Sequence, residues 1–384
     1  MYATTEDSEA LGILAYLDER TKLEQTEVCG KTTVTIHKGY ASKHLFIIEQ
    51  FVQDIELRFQ GEFLGKEYCL GKRMTVPVLY EKYSPLLNDW LQRYSGVHRY
   101  SPRVEAFYDA CMEVGLIDGD PFWFDQPDDI ANADGMRHKY LFTMLIDQIR
   151  LRCQKHEFRE RERLRLVNAD RNMRNVLALE EAMFSEKTGR SRWLILSLTL
   201  RYRPTFRDAI TVEIIQQHRD RFFAARRFNT LMSGIKNYVW TIEQGEDTGL
   251  HLHVILFYSA DHNHDQFVAQ RICEYWVDEV TGGKGDYWNS NAARLKSVYA
   301  RHGHGVGVGQ INRNDAGKRD ALRKNLVYLA KAEQYLLIKG AENMRTFGMG
   351  RVPKKVRVGR LRADSGMRSS EIDGVALVVG VPTS

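Results

Sequence analysis

Eight consecutive residues near the middle of the chain, Trp193–Leu200 (WLILSLTL), are almost entirely apolar. A run this short and this uninterrupted has no polar side to give to water, so it reads as a central strand. A polar, turn-rich stretch, Glu186–Ser191 (EKTGRS), stands directly before it and marks a domain boundary. Beyond the run the pattern alternates. Asp208–Met232 is helix-periodic and closes at Gly234, and Asp265–Val280 is an amphipathic helix stopped by Gly282 and Gly283. Between them, Tyr238–Glu243 and Leu250–Tyr258 are β-rich runs around a turn-like Gln244–Gly249, hence a hairpin. Gly305–Asn312 suggests a glycine-rich strand, and Asp315–Ile338 a helix ended by Gly340. The order strand, helix, hairpin, helix, strand, helix predicts an α+β fold: an antiparallel sheet with helices packed on one face.

The first 180 or so residues read differently, as mixed and then increasingly helical. Thr32–Ile36 and Leu45–Val52 fit short strands or pieces of helix, and Val104–Val114 has helical spacing that stops at Gly115. From Tyr140 to Leu179 the pattern is long and helical, with Leu141, Met144, Leu145, Ile149 and Cys153 on one stripe. The expected division is a mainly helical accessory domain over residues 1–185, a second domain over 186–350 and a basic tail over 351–384.

Charge is informative only by position. The whole chain carries +5, whereas residues 339–368 hold nine Lys/Arg against two Asp/Glu, and 150–174 hold nine against four. Such stretches are solvated surface or contact a polyanion. The five cysteines are scattered with no CxxC pair, which excludes a disulfide scaffold and a cysteine zinc site. Met1–Ala10 has neither the basic nor the apolar segment of a secretory signal, and no stretch approaches the roughly 18 apolar residues of a membrane span. The expectation is a cytoplasmic protein with no membrane contact and no small-molecule substrate.

The segment His251–Tyr258 (HLHVILFY) is the most informative for chemistry. Side chains alternate along a strand, so His251 and His253 share a face about 6.6–7 Å apart and can converge on one metal ion. The same H-x-H spacing at His262/His264 and His302/His304 falls in loop-like sequence, where alternation gives no such convergence. Glu243 is a third candidate ligand on one condition. It joins the histidine face if it pairs with residue 249 or 251, whereas a simple six-residue turn would pair it with Leu250 and turn it away; a bulge would restore it.

A second stretch, Asn325–Tyr335 (NLVYLAKAEQY), has the period of a helix. Leu322, Leu326, Leu329 and Leu336 form its apolar stripe, and Tyr328 lies about 100° from Leu329 on a face shared with Lys324, Lys331 and Tyr335. A tyrosine beside lysines can attack phosphorus, because cations favour phenolate and stabilise charge on phosphate oxygens.

Together these residues resemble the HUH endonucleases that initiate rolling-circle replication of phages and plasmids. More narrowly they resemble the filamentous-phage (inovirus) replication proteins and the prophage-encoded YagK/YfjJ C-terminal domain proteins. The resemblance rests on H-hydrophobic-H followed by Tyr328-Leu-Ala-Lys331, on Ile195–Leu200 as a first strand motif, on Trp240-Thr241-Ile242-Glu243 and on Arg345-Thr346-Phe347-Gly348, and it spans residues 190–350. It implies the HUH fold, related to ferredoxin and RRM-like sheets, and a single-strand DNA nickase. His251 and His253, with Glu243, would hold Mg²⁺ or Mn²⁺; Tyr328 would attack the phosphate and leave a 5′-phosphotyrosyl bond; Lys331 would neutralise charge. Tyr335, seven residues after Tyr328, is a second nucleophile or a packing residue. The implied partner is single-stranded or supercoiled origin DNA, contacted by Lys324 and by Lys354, Lys355, Arg357 and Arg360 of the tail. No Walker A sequence occurs, so a host helicase and polymerase would complete replication. Two other readings compete: a non-catalytic DNA-binding regulator with the same fold, and a two-histidine phosphoesterase, whose H-x-[ST] motifs are absent.

Overall fold

The computed structural model describes residues 23–28, 31–36, 41–64, 75–96, 98–117, 122–187, 189–245, 249–261, 263–301, 305–332, 336–338 and 345–353. The described part of the first 185 residues opens with a hairpin, β1 (Leu23–Val28) and β2 (Lys31–Ile36), followed by helices α1 (Ala41–Leu64) and α2 (Val76–Gln92). The run at 45–52 is therefore helix. A short strand β3 (His98–Tyr100) leads into α3 (Pro102–Glu113), where Pro102 occupies the first turn and the Ser101 hydroxyl accepts from the Val104 amide. The long periodic stretch is two helices, α4 (His138–Gln154) and α5 (His156–Phe184), broken at Lys155 by one extended residue (ψ 139°). Phe51, Trp90, Phe107, Leu141, Phe142 and Ile149 meet in the core of this unit.

The second unit is built on a sheet of six strands, β10-β5-β6-β4-β7, with β8 beside β7 on the same edge of β4. These are β4 (Arg192–Tyr202), β5 (Ile235–Gly245), β6 (Gly249–Tyr258), β7 (Gly285–Asn289), β8 (Gly309–Asn312) and β10 (Phe347–Met349), and all pairings are antiparallel. The apolar run is the central strand its composition demands. Even-numbered side chains of β4 (Leu194, Leu196, Leu198, Leu200) pack under α6 (Val212–Ala224) and α7 (Asp265–Tyr275). Odd-numbered Trp193 and Ile195 join Val239, Ile255, Phe257 and Ile311 under α5 and α9 (Ala316–Ala332). The expected α+β antiparallel sheet is present, with helices on both faces rather than one; α8 (Ala293–Arg301) lies between β7 and β8.

Three details depart from the sequence reading. The 208–232 stretch is only partly α-helix: α6 ends at Ala224 and passes through a tight turn at Ala225–Arg227 and a single helical turn at Thr230–Ser233. The helix carrying Tyr328 ends at Ala332, and Leu336–Ile338 is instead a strand, β9, paired with β3 of the first unit. Tyr335, expected on the same helical face as Tyr328, lies outside the described residues. Finally, α5 serves two cores. Phe158 and Glu162 near its start are buried in the first unit, while Val176, Leu179, Met183 and Phe184 near its end are buried against the sheet. Part of its Arg/Glu surface is internal: Glu162 meets Arg103, and Arg165 bonds Glu49 at 3.1 Å. Among the described residues no helix is long and apolar enough to cross a membrane.

Candidate metal centre

The hairpin decides the site. Strands β5 and β6 are joined through three residues, with Gly245 paired to Gly249 and Glu243 to His251. Gly249 has φ +62°, a conformation that strains any residue with a Cβ, so this turn requires glycine. The one-residue question of register is thereby settled by the turn and not by a bulge. Glu243, Thr241, His251 and His253 all project from the face covered by α5 and α9, as does Thr199 of β4, opposite His253.

The two histidines and the carboxylate converge. Nε2 of His251 lies 3.1 Å from Nε2 of His253, and a Glu243 oxygen lies 3.8 Å and 3.4 Å from these nitrogens. Their side chains are nearly closed to solvent, at 9% and 12% exposure for the histidines and 15% for Glu243. The other ring nitrogens are held from behind. His251 Nδ1 donates to the Gly249 carbonyl at 2.9 Å, and His253 Nδ1 meets the Thr199 hydroxyl at 2.9 Å. A carbonyl can only accept, so the proton of neutral His251 sits on Nδ1 and the Nε2 lone pair faces the cluster. Thr199 can donate or accept. It allows His253 either to give a proton to His251 or to turn a second lone pair inward without moving.

This donor set fits a cation. Two inward lone pairs beside a carboxylate repel one another unless something positive lies between them. Metal–nitrogen bonds of about 2.1 Å at right angles put cis nitrogens about 3.0 Å apart, close to the observed separation. The carbonyl and hydroxyl behind the rings are the outer-shell partners that orient metal-binding imidazoles. Thr241, fully buried and directly across from His253, has a hydroxyl with no hydrogen-bond partner among the described residues. The ligand types, two imidazoles and one carboxylate, suit several divalent metals and do not select one. Among the described residues this is the one group of three that could hold an ion.

The remaining sequence candidates are more dispersed. Leu322, Leu326 and Leu329 of α9 bury themselves in the core that continues the histidine face, and Tyr328 is half-buried against that same core. Tyr328 therefore rides on the helix that covers the metal-centre side of the sheet. Lys331 is in α9, with its side chain outside the described residues. Lys324 is exposed and lies 3.8 Å from Asp320, a helical ion pair. Lys354, Lys355, Arg357, Arg360 and Tyr335 lie outside the described residues. The residues sequence reasoning overlooked are Thr199 and Gly249. A threonine inside an otherwise apolar strand, on the same alternate face as the histidines once the strands are aligned, was the available signal.

The profile of the YagK/YfjJ C-terminal domain family matches residues 128–350, which takes in α4, α5 and the whole sheet. No curated protein and no solved structure matches the chain significantly. The match runs over more than half of the sequence and includes both histidines, Glu243 and the tyrosine helix, and on that ground the chain belongs to the YagK/YfjJ C-terminal domain family.

Proposed function

We propose that this protein is an HUH-type endonuclease that nicks single-stranded DNA to initiate rolling-circle replication of a phage, prophage or plasmid. The observation that carries this reading is the convergence of Glu243, His251 and His253 on the sheet face covered by the Tyr328 helix. A divalent cation held by these three side chains, Mg²⁺ or Mn²⁺ by resemblance, would act as a Lewis acid on the scissile phosphate. The chain's own residues would do the rest. The Tyr328 phenol would lose its proton to solvent as its oxygen bonds phosphorus, the bond from phosphorus to the 3′ oxygen would break, and that oxygen would take up a proton to leave as the 3′-hydroxyl. Lys331, one turn beyond Tyr328, would offset charge on the phosphate oxygens. Lys324 and the basic tail residues Lys354, Lys355, Arg357 and Arg360 would hold the flanking strand, and host helicase and polymerase would extend the 3′ end.

The test is a covalent adduct. Incubated with Mn²⁺ and a single-stranded origin oligonucleotide labelled 3′ of the nick, the wild type should yield a protein–DNA band on a denaturing gel. Tyr328→Phe removes only a hydroxyl and should abolish the band while leaving DNA affinity intact. An adduct that persists in this variant, or that maps to Tyr335, would overturn the assignment of the nucleophile. Equal DNA affinity with no adduct in any variant would favour the non-catalytic regulator.

A further inference from the structure

Two of the sequence motifs place residues on both faces of the sheet. In Trp240-Thr241-Ile242-Glu243, Thr241 and Glu243 face the metal centre, while Trp240 and Ile242 join the core on the opposite side. On that opposite side, where β5 meets the edge strand β10, lies an open groove of about 670 Å³. Its walls come from α6, the turn after it, the start of β5, and Arg345 just before β10.

The groove is cationic. Arg219, Arg226, Arg227, Lys236 and Arg345 line it, against a single carboxylate among its described lining residues, Asp220. That carboxylate is already engaged by Arg219, at 2.8 Å and 2.9 Å. The other four cations form no ion pair among the described residues. Three of them are held by neutral acceptors instead: Arg226 donates to the carbonyls of Ile235 (2.9 Å) and Lys236 (3.4 Å), Arg345 to that of Phe347 (2.9 Å), and Lys236 to that of Ser233 (2.8 Å). Carbonyls orient a guanidinium without neutralising it, so the positive charge remains available to an anion in a fixed place.

Aromatic rings complete the scaffold. Arg219 and Arg345 lie 4.5 Å and 5.8 Å from the Trp240 ring centre, and Arg226 lies 4.9 Å from that of Tyr238. Tyr238 also stacks on Phe223 at 4.1 Å. Gly348 of β10 makes room for this arrangement, since a Cβ there would come within 2.5 Å of the Trp240 ring. The rings are spent on arginines and on each other. They hold the cations in place, and each of the three rings among the described lining residues already has an arginine or another ring against it.

We infer that this groove binds a single-stranded nucleic acid by its phosphates, with little regard for base. A row of oriented, uncompensated cations inside a concave channel suits a flexible sugar–phosphate chain that can bend into it; the stiff, convex surface of a duplex meets only the rim. Naming a single strand as the occupant rests on the proposed nickase reading, whereas the anion site itself does not depend on it. The groove would anchor the strand on one face of β5 while the metal centre works on the other.

The experiment is fluorescence anisotropy on the full-length protein in EDTA, with labelled 20-nucleotide oligo-dT and oligo-dA at several salt concentrations. Arg227 and Lys236 are exposed and bury nothing. R227E/K236E should raise the Kd for both oligonucleotides at least tenfold, and R227Q/K236Q by a smaller factor in the same direction, with melting temperatures unchanged. The slope of log K against log salt should fall by about 1.4 in the glutamine pair, roughly 0.7 for each phosphate that a single strand no longer has neutralised. The assay is run in EDTA and reads affinity alone, so its outcome is independent of whether the covalent adduct of the nickase reading forms. The inference is overturned by a Kd within twofold of wild type in R227E/K236E, by a tenfold preference between the two bases, or by an equal loss of duplex binding. Displacement of oligo-dT by polyglutamate at equal charge would overturn it too, in favour of an acidic protein partner.

Discussion

At the scale of single residues, the candidate metal centre depends on atoms that would not touch an ion bound there. Thr199 holds Nδ1 of His253 and the Gly249 carbonyl holds Nδ1 of His251, so each imidazole is aimed from behind. Outer-shell partners of this kind are worth about 10–100-fold in metal affinity. Thr199→Val keeps the shape and removes the hydroxyl, so Mn²⁺ affinity measured by titration calorimetry should fall by about tenfold or more. His251→Ala removes a ligand outright and should abolish binding. If Thr199→Val binds Mn²⁺ as tightly as the wild type, the hydroxyl does not orient His253. The histidine pair was legible in the sequence because strand alternation is a local rule. Glu243 was legible only as a conditional ligand, because its face depends on a one-residue choice of register that the turn at Gly249 makes.

At the scale of elements, the position of Tyr328 depends on how α9 is fastened. Its leucines pack on the sheet, and its two arginines grip α5: Arg319 bonds Glu180 at 2.7 Å and 3.1 Å, and Arg323 bonds it at 2.8 Å. Glu180 is fully buried, while Arg323 is 39% exposed. Breaking a buried pair from one side costs about 3–5 kcal/mol. Partial exposure, and the nearby Glu181 that bonds both arginines, reduce this. Glu180→Ala should therefore destabilise the protein by about 2 kcal/mol in urea unfolding. A change below about 0.5 kcal/mol would show that the leucines alone hold α9. The sequence presents these arginines and glutamates as surface charge. Only the crossing of α5 and α9 turns them into a clamp.

At the scale of the whole molecule, α5 makes the two units mechanically continuous. Its 29 residues span about 43 Å at 1.5 Å per residue, with one end in each core. The strand pairing between β3 and β9 adds a second tie, between residues 98–100 and 336–338. The family match begins at residue 128, upstream of α4, yet Leu141, Phe142, Leu145, Ile146 and Ile149 of α4 are buried in the core of the first unit. A fragment of residues 128–350 would expose all five, each worth about 1.5–3 kcal/mol of burial. It should bind a hydrophobic dye such as ANS and self-associate in sedimentation, whereas a fragment of residues 170–350 should not. A soluble, dye-negative 128–350 fragment would mean that α4 folds against the sheet in the absence of the first unit.

What the sequence determined by itself is whatever a local rule can carry. The apolar run 193–200 had to be a central strand, because it offers water no side. The spacing of His251 and His253 had to put both rings on one face, and Gly282 and Gly283, both at positive φ, had to end the helical run before them. The tertiary structure decided everything that depends on residues meeting from far apart. The second covered face arises because α5, on the N-terminal side of the polar turn, packs back over the sheet. The basic groove gathers α6, β5 and Arg345, which no window of sequence holds together. Leu336–Ile338, read locally as the end of the tyrosine helix, is a strand because it pairs with one more than 230 residues earlier in the chain. Hydrogen bonding across that distance outweighed a helical periodicity that, read locally, continued to Ile338.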